Sequence, residues 1–107
     1  KGIRSLPLQR GDIVVVVGQG PIGLMFNRLL TLAGARVLGT DLLESRRCLG
    51  RRFGAARTWA GDAPQLVDDI RRSTGGRGAD AVVLTVPGDA VVRQAQDMIR
   101  GGGAVLL

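Results

Sequence analysis

Apolar residues along this chain fall into short unbroken runs, separated by stretches in which they recur every three or four positions. Ile13-Val14-Val15-Val16-Val17 is a continuous β-branched run between Gly11-Asp12 and Gly18. A strand buried on both faces, as in a parallel sheet, reads this way. From Pro21 to Ala33 the positions Ile22, Met25, Phe26, Leu29, Leu30 and Ala33 recur at helical spacing, and Gly34 supplies a stop. Residues 36–40 predict a second strand that ends at Asp41, and a second helix follows from Glu44 to Phe53, closed by Gly54. A short third strand fits around Arg57 to Trp59. Asp62 is placed to cap a third helix that begins near Pro64 and presents Leu66, Val67 and Ile70. After the glycines at 75, 76 and 78, Ala81 to Val86 predict a fourth strand. Asp89 is placed to cap a fourth helix bearing Val91, Val92, Ala95, Met98 and Ile99, and the glycines 101–103 lead into a fifth strand over 104–107.

Strand and helix thus alternate throughout, with no internal repeat and no linker. Such alternation implies parallel strands joined by right-handed helical crossovers, so that helices cover both faces. The expected architecture is a single α/β domain over residues 1–107: a doubly wound parallel sheet of about five strands in the order 3-2-1-4-5, with four helices.

Composition narrows the function classes. The 107 residues hold one cysteine and no histidine, so neither an internal disulfide nor a zinc site can be assembled from them. No apolar run approaches the ~20 residues that a membrane-crossing helix needs, and the start of the chain lacks a signal-peptide layout. A cytoplasmic setting without a membrane partner is expected. The net charge of +6 invites a nucleic-acid reading, with the densest basic group at Arg46, Arg47, Arg51 and Arg52. The three aromatic residues, Phe26, Phe53 and Trp59, do not interleave with that cluster as a base-stacking surface requires. The arginines therefore read as a solvated helix face, and no nucleic-acid partner is expected. Cys48 reads as a small, partly buried side chain, and Asp68-Asp69 as a pair on an exposed helix.

The chemistry concentrates in Gly18-Gln19-Gly20-Pro21-Ile22-Gly23, which leaves one predicted strand and opens one predicted helix. At that junction each residue type has a task. Gly18 permits the tight turn, Gly20 lets a pyrophosphate approach the backbone, and Gly23 lets the helix pack closely. Free amides at the helix start, with the positive end of its dipole, receive the pyrophosphate charge. Pro21 has no amide to give but suits the first helical turn. Asp41 closes the second strand 21 residues after Gly20 and would accept hydrogen bonds from the ribose hydroxyls of an adenosine. Its charge would repel a 2′-phosphate, which favours NAD over NADP. Arg46 and Arg47 cut the other way, because an arginine near the ribose accommodates a 2′-phosphate, and use of NADP stays open. Arg46 is read as covering the adenosine, Arg47 as solvated.

These residues carry a resemblance. The run from Gly11-Asp12 through Gly18-Gln19-Gly20-Pro21-Ile22-Gly23 to Gly34-Ala35-Arg36-Val37 and Asp41 resembles the Rossmann-type cofactor domain of medium-chain dehydrogenases. Within that superfamily it is similar to the zinc-dependent alcohol, polyol and threonine dehydrogenases. Phe53-Gly54-Ala55, residues 74–80 and Ile99-Arg100-Gly101-Gly102-Gly103 agree with that. The resemblance implies that the amides around Gly20 to Gly23 hold the pyrophosphate, with Ile22 close to the cofactor. It further implies that Asp41 and Arg46 meet the adenosine ribose and that Val86 lies along the cofactor. The parent would be a homo-oligomeric enzyme that oxidises a small secondary alcohol, with zinc in a catalytic domain absent here. The chain would then be a fragment, truncated before the family's sixth strand and inactive alone, with no catalytic residue of its own. A stand-alone nucleotide-binding module and a zinc-independent quinone reductase relative are the alternatives. Phe26 and Asn27 depart from the small residues usual in the family's first helix, and Asn27 is expected to loosen helix packing.

Overall fold

A computed structural model of the protein describes residues 8–106. Five strands alternate with four helices: β1 (Ile13–Val17), α1 (Pro21–Leu32), β2 (Arg36–Asp41), α2 (Glu44–Arg52), β3 (Ala55–Ala60), α3 (Leu66–Ser73), β4 (Ala79–Leu84), α4 (Asp89–Met98) and β5 (Ile99–Leu106). All pairings are parallel, in the order β3-β2-β1-β4-β5. The expected Rossmann-type fold and its strand order are both present.

The β-branched run in β1 divides its side chains between the two faces of the sheet, because successive residues of a strand point oppositely. Val15 and Val17 join Leu38, Leu66, Ile70, Val82 and Met98 in a core under α3 and α4. Val14 and Val16 join Leu30, Val37 and Val83 in a second core, with Phe26 of α1 against it. Burying one such side chain contributes roughly 1.5–3 kcal/mol, so the central strands anchor both layers. They also hold the loops at their carboxyl ends in place.

Several boundaries differ from the sequence expectation. The third helix begins at Leu66 with Gln65 at its N-cap, so Asp62 is not its cap. The segment between is taken up by turns in which the Ala63 and Leu66 amides donate to the carbonyls of Ala60 and Ala63. Gly88 is the N-cap of α4 and Asp89 its first residue, where the carboxylate meets the helix dipole without a capping bond. Ile99 is extended and opens β5 rather than closing α4. The glycines 101–103 do not precede β5 but interrupt its ladder: Ile99 pairs with Ala79, Ala104 with Ala81, and the extra residues bulge out between. Leu107, where that strand was expected to stop, lies outside the described residues. On α1 the buried positions are Gly23, Asn27 and Leu30, whereas Ile22, Met25 and Leu29 are exposed.

The amino end of the sheet is closed by Asp80. Its carboxylate is buried, accepts the Ile13 amide at 2.7 Å and pairs with Arg100 Nε at 2.5 Å, while Arg77 stands 3.9 Å away. Burial pushes the Asp80 pKa upward. The Ile13 amide, the Arg100 bond and the charges of Arg100 and Arg77 together outweigh it, leaving Asp80 below its ordinary value of 3.8.

Candidate functional site

At the carboxyl ends of β1, β2 and β4 the chain builds a loop whose glycines serve different purposes. Gly18 leaves β1 with φ +97°, donates its amide to Thr40 O at 2.7 Å, and a Cβ there would collide with Thr85 Oγ1. A Cβ on Gly23 would strike the Gly18 carbonyl oxygen. The fold itself therefore demands glycine at both positions. Gly20 is unlike them. Its φ is −77°, which any residue adopts, and a Cβ would meet nothing nearer than Arg46 Nη1 at 3.8 Å. The bare backbone at Gly20 is space that this chain leaves open.

Directly beyond it, α1 starts with Pro21 and has no side-chain cap and no acidic residue in its first turn. The positive end of the helix and the amides of its first turn consequently face out without a counter-charge from α1 itself. Such an end receives anions readily.

Asp41 terminates β2 beside this loop. Its Oδ2 accepts the Gln19 amide at 2.7 Å and its Oδ1 accepts the Leu43 amide at 2.9 Å. An ionised carboxylate has about four acceptor sites, so two backbone bonds orient the group and leave capacity for two more. Among the described residues no cation pairs with it. Arg47 lies within reach of that segment but donates instead to the backbone carbonyls of Asp41 and Leu42, at 2.8 and 3.1 Å. Arg47 is thus half-buried and latches the β2–α2 turn, rather than being solvated as expected. Cys48, expected to be partly buried, is exposed, because the face of α2 turned to the sheet is occupied by Gly50.

A cleft of about 430 Å³ opens here, within the range of small-ligand sites. Gly18, Asp41, Arg46 and Val86 line it together, along with Leu42, Leu43, Gly61, Pro87, Val91 and Gln94. Four of the eight residues expected in the site therefore share one cavity, and Gly20 adjoins it through Arg46. Pro21 and Ile22 are exposed at the start of α1 and do not line the cleft; Ile22 is 56% exposed. Leu42, Leu43 and Gln94 are lining residues that the sequence reading passed over. The only signal for the leucines was their place directly after Asp41.

Two further residues have roles that the sequence expectation did not include. Gln19, a position the fingerprint leaves unspecified, is fully buried and donates Nε2 to the carbonyls of Val16 and Gly18, each at 3.1 Å. Asn27, expected to loosen the helix, is likewise fully buried and donates Nδ2 to Gln19 Oε1 at 2.6 Å and to Gly50 O at 3.2 Å. The bulk of Asn27 is accommodated by hydrogen bonding to its neighbours.

What the arrangement can do is bind and orient. An open backbone at a helix start suits a pyrophosphate. An oriented, unpaired carboxylate suits vicinal hydroxyls, and apolar walls suit a flat base. A dinucleotide fits these residues. A catalytic zinc does not fit this chain's own residues: among the described ones no group of three or more His, Cys, Asp or Glu could hold a metal. Nor, among them, is any helix long and apolar enough to cross a membrane.

Comparison with known proteins identifies the family and the fold. The sequence model of the family described as zinc-binding dehydrogenase matches residues 21–107. An alcohol dehydrogenase of Cupriavidus necator is 31% identical over 106 residues, which is 98% of this chain and 29% of that protein. A D-xylulose reductase of Saccharomyces cerevisiae is 35% identical over 101 residues, 90% of this chain and 28% of that protein. Among solved structures, a mycobacterial protein in complex with NADPH superposes with a TM-score of 0.86 at 30% identity, covering 96% of this chain and 32% of that one. The chain thus spans about 30% of the length of the relatives it matches.

Proposed function

The chain belongs to the family of zinc-binding dehydrogenases, and on that footing we propose that it is the NAD-binding part of a cytoplasmic enzyme that oxidises a small secondary alcohol. The observation that carries this reading is the Asp41 carboxylate, held by the Gln19 and Leu43 amides in the lining of the cleft and paired with no cation among the described residues. In the reading, the amides around Gly20, Ile22 and Gly23 take the pyrophosphate and Pro21 presets the helix start. Asp41 accepts the two hydroxyls of the adenosine ribose, Arg46 covers that ribose, and Val86 lies along the cofactor. The cofactor supplies hydride transfer when bound; this chain's residues hold and orient it.

Zinc, the alcohol and the groups that polarise it belong, in this proposal, to a further domain of a longer homo-oligomeric protein, so the chain alone turns over no substrate. The names of the relatives, an alcohol dehydrogenase and a D-xylulose reductase, support an alcohol or polyol as the substrate class. A second reading, NADP as cofactor, draws on Arg46 beside Gly20 and on the relative solved with NADPH.

A calorimetric titration of the chain with NADH and, separately, NADPH decides between them. Tighter NADH binding that weakens in Asp41→Ala supports the proposal. Tighter NADPH binding assigns the dominant role to Arg46. A folded chain that binds neither nucleotide overturns both readings.

A further inference from the structure

Gln19 and Asn27 are a pair of fully buried amides where packing alone asks for none. The Gln19 side chain folds back beneath the loop and is bonded at both ends of its amide, to Val16 and Gly18 through Nε2 and to Asn27 through Oε1. Space for it exists because two other elements omit side chains. A Cβ on Gly39 of β2 would stand 2.8 Å from Gln19 Cδ, and one on Gly50 of α2 would collide with Gln19 Oε1. The pair is not fully satisfied either, since Asn27 Oδ1 is buried with no partner among the described residues. Two apolar side chains of similar volume would fill the same space without an orphaned atom.

What apolar side chains could not do is hydrogen-bond β1, the loop, α1 and α2 to one another at fixed distances. The residue whose side chain is clamped in this way is also the one whose backbone amide holds Asp41 Oδ2. The second Asn27 bond reaches Gly50 of α2, the helix that carries Arg46. We propose that Gln19 and Asn27 are positioning residues, an internal brace that fixes Asp41 and Arg46 relative to the loop around Gly20 and so sets both the affinity for the nucleotide and the discrimination against a 2′-phosphate. The inference rests on the dinucleotide reading given above. Both side chains are buried away from the cleft, so in this reading they act through Asp41 and α2.

The test separates positioning from stability. Gln19→Met and Asn27→Leu each strand one buried amide and should lower the melting temperature. The double variant removes both polar partners at similar volume and should recover most of that loss. If the brace positions the site, the recovered double variant still binds NADH about tenfold more weakly than the unaltered chain, and its preference between NADH and NADPH narrows. Affinity and preference that return together with the melting temperature overturn the brace, while Asp41→Ala continues to report on the nucleotide reading. Should the double variant fail to fold, Asn27→Ala titrated well below its own melting temperature serves instead. A tenfold loss of NADH affinity in that folded variant supports the brace, and unaltered affinity overturns it. An unaltered chain that binds no NADH removes the nucleotide reading and the brace with it.

Discussion

Two aspartates sit at opposite ends of the same sheet, and each accepts a backbone amide at 2.7 Å from a segment far away in sequence. Asp80, at the amino end, goes on to pair with Arg100 and draws in Arg77. Asp41, at the carboxyl end, has Arg46 and Arg47 in the first turns of the adjoining helix and pairs with neither. Arg47 turns to backbone carbonyls and Arg46 to the space over Gly20. In an interior or at a rim, an ionised carboxylate is stabilised by partners, so a carboxylate oriented by amides and left open is suited to a ligand. The amino end of the sheet is built for cohesion; the carboxyl end keeps its acceptor capacity free.

Substitutions at the two ends can break or sharpen this contrast. The largest effect is expected from Gly23→Ala. Its methyl group would strike the Gly18 carbonyl, so the loop must shift, at a cost of about 3 kcal/mol in unfolding free energy and with loss of nucleotide binding. Chemical denaturation and titration of one sample measure both.

Asp80→Ala comes next. It leaves the Ile13 amide and Arg100 without their acceptor and should cost roughly 2 kcal/mol, read as a lower denaturation midpoint, with NADH affinity little changed. The same group sets a pH dependence. Its pKa is lowered on folding, so its stabilisation is complete above the unfolded pKa near 3.8. It is lost as pH falls from there through the still lower folded value. Acid titration of unfolding should show this loss in the unaltered chain and not in Asp80→Asn.

Asp41→Ala should act on binding first. Removing two charged hydrogen bonds to a ribose weakens NADH binding by about tenfold to thirtyfold, with a loss of stability from the stranded Gln19 and Leu43 amides no larger than that of Asp80→Ala. A variant that melts early but binds normally would erase the contrast between the two ends. Arg46→Ala is the smallest expected change, a few-fold shift of preference away from NADPH, visible in paired titrations.

How far the sequence anticipated this molecule depends on how local each signal is. β1 was legible to the residue because a β-branched run between glycines admits one reading. β3 was read short because Ala-Ala-Arg-Thr-Trp-Ala lies at the sheet edge, largely half-buried or exposed, and carries no apolar run. β5 was read short because three glycines resemble a loop, whereas here they bulge out of a ladder that resumes after them. Asp62 and Asp89 have the chemistry of caps, but cap geometry depends on where the preceding turn ends, and that is decided by tertiary packing.

The site divides in the same way. The glycine spacing and Asp41 follow from a rule of local geometry and were legible. The roles of Gln19 and Asn27 were not, because their partners come from Val16, Gly18 and Gly50, and the space for them from missing side chains at Gly39 and Gly50. No pattern along the chain announces a cavity formed by four elements. Cys48 and Arg47 were misjudged because α2 turns a glycine toward the sheet and sends its longer side chains outward or back onto the loop.

The contrast between the two ends is tested most directly by recording backbone amide spectra of the isotopically labelled chain as NADH is added. The account predicts that the amides of Gly20, Ile22 and Gly23 shift with Gln19 and Leu43, the two that hold Asp41, while Ile13 and Arg100 beside Asp80 stay where they are. Shifts confined to the Asp80 end, or saturating NADH that leaves the Gln19 and Leu43 amides unmoved, would contradict it.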